Sequence, residues 1–357
     1  MTGSALITRS RTLVDHIGPN WFASVMGTGI VANAAATLPH RPPWLHAVAG
    51  AVWAVAAVWL VALSVAFATQ WLRHPARARG HHADAVAVQF YGAPPMALLT
   101  VGAGTLLYGP PLLGEAAVPV AVVLWAAGTV GGLVSAVSVP YAMFTREHLD
   151  GDAPFAGWLM PVVPPMVSAA TGAALVPHAA AGQARLTLML ACYAMFGLSL
   201  LATLVVLPQV WSRLARRKVG AAATAPTLWI VLGPLGQSVT AVGLLGGVAS
   251  QAVDGRLAEA LMLFGVVYGV CVFGFALLWT ALALAVTLRT VREGLPFAPT
   301  WWSFTFPLGT CVTGASVLAA RTGAVAYGWL AVGMYVGLVG AWGVVAFRTA
   351  RFLATPA

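Results

Sequence analysis

Pro94 is followed six residues later by Thr100, Pro165 by Thr171, Pro234 by Thr240 and Pro307 by Thr313. A proline inside an apolar helix removes one hydrogen bond and clashes with the carbonyl four residues back, at a cost of about 3 kcal/mol or more. The carbonyls so released are those of Phe90, Pro161, Ile230 and Ser303. Freed carbonyls and threonine hydroxyls can stand in for water around a solute without binding it tightly. The chemistry on offer is weak solvation, not bond making. Around these prolines the polar residues are Asn20, Ser24, Thr28 and Asn33, Thr100 and Thr105, and Ser168 and Thr171. They continue with Gln237, Ser238 and Thr240, then Ser303, Thr305, Thr310, Thr313 and Ser316.

Bond-making chemistry finds no comparable set, and no catalytic residue, metal or cofactor is expected. His16, His40, His74, His81, His82 and His148 fall in tails or loops, His178 at a helix end, and His46 inside an apolar run without a partner at ligand spacing. Glu147, Asp150 and Asp152 lack the ligand series of a calcium loop. Cys192, Cys271 and Cys311 lie in separate apolar runs, without metal-type spacing or a case for a disulfide.

The elements that must position the prolines and threonines are apolar helices. Of the 357 residues, 60% are hydrophobic and 8% charged, against about 25% charged in a soluble domain. A membrane helix needs roughly 20 mainly apolar residues. Ten such runs fall at 19–38, 44–70, 88–108, 116–143, 156–178, 185–211, 226–249, 257–288, 296–320 and 324–347. The alternating pattern of membrane strands is missing. The net charge of +9 points to topology before nucleic acid, because cytoplasmic loops collect Lys and Arg. With both termini inside, the inner segments hold Arg9, Arg11, Arg73, Arg77, Arg79, Arg146, Arg213, Arg216, Arg217, Lys218, Arg289, Arg292, Arg348 and Arg351. That leaves only Arg41, Arg185, Arg256 and Arg321 outside. The proline-bearing spans carry no Asp, Glu, Lys or Arg at bilayer depth, which disfavours a tightly proton-coupled or carboxylate-ligated cation carrier. Helix N-termini at the breaks would favour an anion.

The threonines Thr28, Thr100, Thr171, Thr240 and Thr313 are spaced by 72, 71, 69 and 73 residues, and Phe22 takes the proline's place in the first copy. Five helical hairpins, approximately 15–75, 86–145, 156–215, 226–293 and 296–350, therefore make one transmembrane domain over 1–357. The first span belongs to this repeat, so the basic, apolar N-terminus is expected to be retained and not cleaved as a signal peptide. Two spans per unit keep all repeats in one orientation, related by an axis along the membrane normal. The expected fold is all-α and integral to the membrane: ten transmembrane helices with quasi-five-fold symmetry around a central pore, N-in and C-in. The odd helices stand inside, broken where a water-filled cavity satisfies them. The even helices, rich in Ala, Val and Leu with Pro119, Pro140 and Pro208 near their ends, stand outside.

The runs Trp21-Phe22-Ala23-Ser24-Val25-Met26-Gly27-Thr28-Gly29-Ile30 and Trp301-Trp302-Ser303-Phe304-Thr305-Phe306-Pro307-Leu308-Gly309-Thr310, with the hairpin count, resemble the tellurite-resistance/C4-dicarboxylate transporter family. That family includes bacterial TehA, plant slow anion channels, a fungal malate permease and a fungal sulfite pump. The resemblance implies an anion pore lined by odd helices in the cell membrane, often in a homotrimer, with a phenylalanine on the ninth helix as gate. By motif position the gate is Phe306, with Phe304 as the fallback. Phe22, Thr28, Gly29, Thr100, Thr171, Thr240, Thr310 and Thr313 are the expected pore lining, and Pro94, Pro165, Pro234 and Pro307 the helix kinks. A dicarboxylate would want a basic anchor that the expected lumen lacks. The expected substrate is therefore a small inorganic anion such as sulfite, nitrate or chloride, with proton-coupled malate or succinate transport as the alternative.

Overall fold

The computed structural model describes residues 17–82, 84–145 and 154–354. Arg9, Arg11, His16, Arg146, Glu147, His148, Asp150 and Asp152 lie outside the described residues. The long helices are α1 (Phe22–Thr37), α2 (Pro43–Arg73), α3 (Ala93–Tyr108), α4 (Ala117–Thr145), α5 (Pro164–Ala173), α6 (Gln183–Arg217), α7 (Leu232–Val248), α8 (Gly255–Arg292), α9 (Phe306–Thr322) and α10 (Val325–Ala354). No strand occurs among the described residues. Among the described residues, eight helical stretches are long and apolar enough to cross a membrane. The first and fifth expected spans are present as shorter helices, α1 with 16 residues and α5 with 10.

Each odd helix is preceded by a 3-10 segment: Pro19–Trp21, Ala87–Gly92, Ala156–Leu159, Ala222–Val231 and Pro299–Phe304. Pro94, Pro165 and Pro307 are the second residues of α3, α5 and α9, and Pro234 is the third of α7. A proline in the first helical turn lacks an N–H that would have no intrahelical partner anyway. The break in these spans is thus a change from 3-10 to α-helix at the proline, not a bend inside one α-helix.

Burial separates two rings. In α1, 14 residues are buried, and in α5 nine of ten. The stretches ending in α3, α7 and α9 are 67%, 94% and 83% buried over their most apolar windows, against 17–33% for α2, α4, α6, α8 and α10. The odd helices pack in a closed cycle: α1 on α3, α3 on α5, α5 on α7, α7 on α9, and α9 back on α1. Each even helix fills the outer groove between two of them, α2 between α1 and α3, α4 between α3 and α5, and so on to α10 between α9 and α1. The α7–α9 seam is close because glycines line it. A Cβ on Gly236 would sit 2.6 Å from the Cys311 nitrogen, and one on Gly243 2.1 Å from Val317 Cγ1.

The outer ring also supplies the hydrogen bonds that the 3-10 segments leave open. Ser135 Oγ of α4 donates to the Pro161 carbonyl at 3.0 Å, and Ser199 Oγ of α6 to the Val162 carbonyl at 2.6 Å. Trp279 Nε1 of α8 donates to the Leu228 carbonyl at 2.9 Å. Further along the inner helices, Trp53 Nε1 bonds the Val101 carbonyl and Trp125 Nε1 the Ser168 carbonyl, at 3.2 and 2.9 Å. At the opposite ends of the inner helices, Arg41 bonds the Ala36 carbonyl, and Arg185 bonds those of Pro177, Ala179 and Gln251. Two of the four arginines expected outside thus cap helix C-termini.

Packing of the 3-10 segments is tightest at Gly92, where an added Cβ would lie 1.9 Å from the Met160 carbonyl oxygen. Backbone cannot yield there as a side chain would, and overpacking ordinarily costs about 1–3 kcal/mol. Gly92→Ala is therefore expected to lower the melting temperature of the detergent-solubilised protein. Gly274→Ala, whose added carbon meets nothing within 4 Å, should leave it unchanged or raise it. Equal melting of the two variants would remove Gly92 from the packing account.

Candidate functional site

The five junctions between 3-10 and α-helix meet at one cavity. Span one contributes Ala23 and Met26, span three Phe90 and Met96, span five Met160 and Val163, span seven Ile230 and Gly233, and span nine Trp302, Ser303, Phe306 and Pro307. The cavity measures about 20 Å³, room for a water molecule and little more. Its side chains are thioether, aliphatic and aromatic except for Ser303, and none is charged. A narrow apolar constriction resists wetting and so resists ions. The α-helical parts all begin at this level, so five helix starts flank it.

Phe306 lines the cavity and is 3% exposed. Phe304 is turned away, its ring 5.7 Å from that of Trp229 and 5.9 Å from that of Trp301, beside a groove facing α8 and α10. Phe22 packs edge-on against Phe67 of α2, with centroids 5.6 Å apart. A Cβ built on Gly233 meets nothing within 4 Å. A larger side chain there would have room to grow into the cavity.

The expected hydroxyls occupy the seams between helices. Thr28 donates to the Ser24 carbonyl at 2.8 Å and accepts from Trp342 Nε1 of α10 at 3.1 Å. Thr100 bonds the Met96 carbonyl at 2.7 Å, and its methyl group fills the space beside Gly29. Thr240 and Thr313 share a 2.7 Å hydrogen bond across the α7–α9 seam, and Thr310 Oγ1 donates to the Pro307 carbonyl at 2.6 Å and the Leu232 carbonyl at 3.1 Å. Thr171, partly exposed, bonds back to the Val167 carbonyl at 2.9 Å. The structure therefore brings Thr240, Thr310 and Thr313 together. The residues that line the closed cavity are a different set.

Two buried amides extend the polar surface beyond the constriction. Gln237 lies one turn past Gly233, on the same face of α7, and its Oε1 has no partner. Asn33 donates to the Thr100 carbonyl at 2.9 Å, tying α1 to α3, while its Oδ1 is unpartnered. The apolar lining by Phe90, Met96, Met160 and Ile230 escaped the reading of motifs. A signal existed, since Phe90, Ile230 and Ser303 stand four residues before their prolines. That offset was read for carbonyls and not for side chains.

Residues 16–350 match the family described as voltage-dependent anion channel. The chain belongs to this family. It is 27% identical over 322 residues to a sulfite efflux pump of Arthroderma otae, covering 88% of this chain and 84% of the pump. A sulfite efflux pump of Trichophyton rubrum is 28% identical over 307 residues, covering 84% and 81% respectively. An uncharacterized transporter of Methanocaldococcus jannaschii is 27% identical over 307 residues, covering 86% and 84%. This member of the voltage-dependent anion channel family is a multi-pass membrane protein and an anion transporter or channel, not an enzyme.

Closure of the cavity is open to a direct test. Ser303→Cys, in a background with Cys192, Cys271 and Cys311 replaced, is expected to resist membrane-impermeant thiol reagents. Adding Phe306→Ala should raise its labelling rate several-fold by removing the largest ring at the constriction. Fast labelling of Ser303→Cys with Phe306 intact would show the cavity to be open to water.

Proposed function

We propose that the chain conducts small inorganic anions of the sulfite, nitrate or chloride class along the axis of its odd-numbered helices, and that Phe306 closes the path. The observation that carries this reading is the cavity of about 20 Å³ to which every odd span contributes and which Phe306 helps to fill. The closed cycle of odd helices, each groove filled by one even helix, supports ten spans in five hairpins with quasi-five-fold symmetry. The basic ends of α2, α6, α8 and α10 support N-in and C-in orientation. The cell membrane, a homotrimer and a single domain over 1–357 follow from the resemblance and the repeat.

Selectivity for anions is carried by the converging helix N-termini, since no cationic side chain reaches the cavity. Pro94, Pro165, Pro234 and Pro307 set where those termini begin. Beyond the apolar ring the path runs past Gln237 and Thr171, while Thr28, Gly29, Thr100, Thr240, Thr310 and Thr313, with Phe22, hold the surrounding seams. Sulfite is the favoured substrate, because two of the relatives are named sulfite efflux pumps. The absence of a basic anchor beside the cavity weighs against malate and succinate.

Proteoliposomes loaded in turn with sulfite, nitrate, chloride, malate or succinate, with and without an imposed pH gradient, test the reading. Anion flux is expected without a pH gradient, to rise several-fold in Phe306→Ala and to fall in Gly233→Leu, which fills the open space beside Gly233. Unchanged flux in Phe306→Ala, with protein confirmed in the bilayer, removes Phe306 as the gate. Malate uptake that collapses with the proton gradient would favour the dicarboxylate alternative.

A further inference from the structure

A second, much larger cavity lies on the outer surface where α6 and α8 end, with a volume of about 730 Å³. Its lining is graded. Leu228 and Trp279 are buried at its base, Trp211 and Leu282 stand exposed along it, with the two indoles 5.9 Å apart, and Lys218, Arg289 and Glu293 form the rim. From Trp279 to Glu293 the groove follows α8 for about 21 Å, at 1.5 Å per residue. An apolar trough of that length ending in cations has the dimensions and the polarity of a phospholipid.

The rim is built. Lys218 is the only residue other than glycine with positive φ among the described residues, at φ 63° and ψ −167°. That region is almost reserved for glycine, and an outlier of this kind persists only where the surroundings impose it. Arg213 supplies the constraint: its Nη1 donates to the Val219 carbonyl at 3.4 Å, and its guanidinium packs on Gly220, itself at φ 82°. The strained turn leaves Lys218 lining the groove. Arg289 is already paired with Glu293 at 2.8 Å, whereas the Lys218 ammonium has no partner among the described residues.

We infer that this groove holds one anionic phospholipid, its phosphate at Lys218 and an acyl chain along α8 between Trp211 and Trp279. Charge complementarity selects the headgroup and the indole-lined trough selects the tail. The inference does not depend on the transport reading, because no residue lining the groove lines the central cavity.

The test uses the full-length protein in mild detergent, with native mass spectrometry and thermal melting. The probes are phosphatidylglycerol, phosphatidylcholine with the same chains, and tail-less glycerol phosphate. Phosphatidylglycerol is expected to be retained preferentially and to raise the melting temperature. Lys218→Gln should cut that preference about fivefold, the usual effect of one charge at a membrane surface. Lys218→Gly accepts the same backbone without strain, so it should fold at least as well and lose the preference too. Leu282→Trp should expel both lipids by filling the trough. Equal retention of the two lipids by the wild type, or preference unchanged in both Lys218 variants, overturns the inference. So does glycerol phosphate binding as well as the lipid, which would make the rim a plain anion site. A change in subunit number with Leu282→Trp, without change in bound lipid, would assign the groove to a second copy of the chain and likewise overturn it.

Discussion

Inside a bilayer no water is at hand to satisfy a broken backbone, and an unpaired polar group there costs several kcal/mol. Every odd span of this protein is broken, at or near the level of the central cavity. Side chains of the outer ring repair part of this damage in the fifth and seventh spans. The even helices are more than a lipid-facing jacket, because Ser135, Ser199 and Trp279 reach inward to the carbonyls exposed near the junctions. Two concentric rings let outer donors reach the breaks of the fifth and seventh spans.

The broken backbone brings the starts of five α-helices to one level, with no ionised side chain lining the cavity there. A lysine at that level would bind an anion strongly and slow its release. In the proposed pathway, weak partial charges spread over several helix ends would attract without trapping, which suits passage over storage. The apolar ring of Met26, Met96, Met160, Phe90 and Phe306 then sets a barrier made of poor wetting, independent of charge.

Much of the architecture was legible in the residues because it rests on short-range rules. Apolar runs of membrane length, basic residues at alternate ends and prolines in register pointed to hairpins and to an inner and an outer ring. The 3-10 segments were not legible, because a proline in an apolar run reads equally well as a bend or as the start of a helix. Side-chain direction was also hidden. The threonines at regular spacing looked like pore lining, yet a hydroxyl that can reach the carbonyl four residues back satisfies itself on its own helix, as Thr28 and Thr100 do. Their regularity reflects how the helices pack. The lining went to thioethers and aromatic rings, which have no backbone duty and so are free to face the axis.

The glycine-lined contact between α7 and α9 governs how the constriction can change. With Gly236 and Gly243 pressed against Thr310, Cys311 and Val317, these two helices shift as one plank. Phe306 and Gly233, which face the axis from that plank, have no separate hinges. Rotation of one aromatic side chain displaces far fewer atoms than a shift of packed helices, which takes microseconds or longer. With Phe306 as the gate proposed above, a small shutter would be mounted on a slower frame, and conducting episodes would come as bursts broken by briefer flicker.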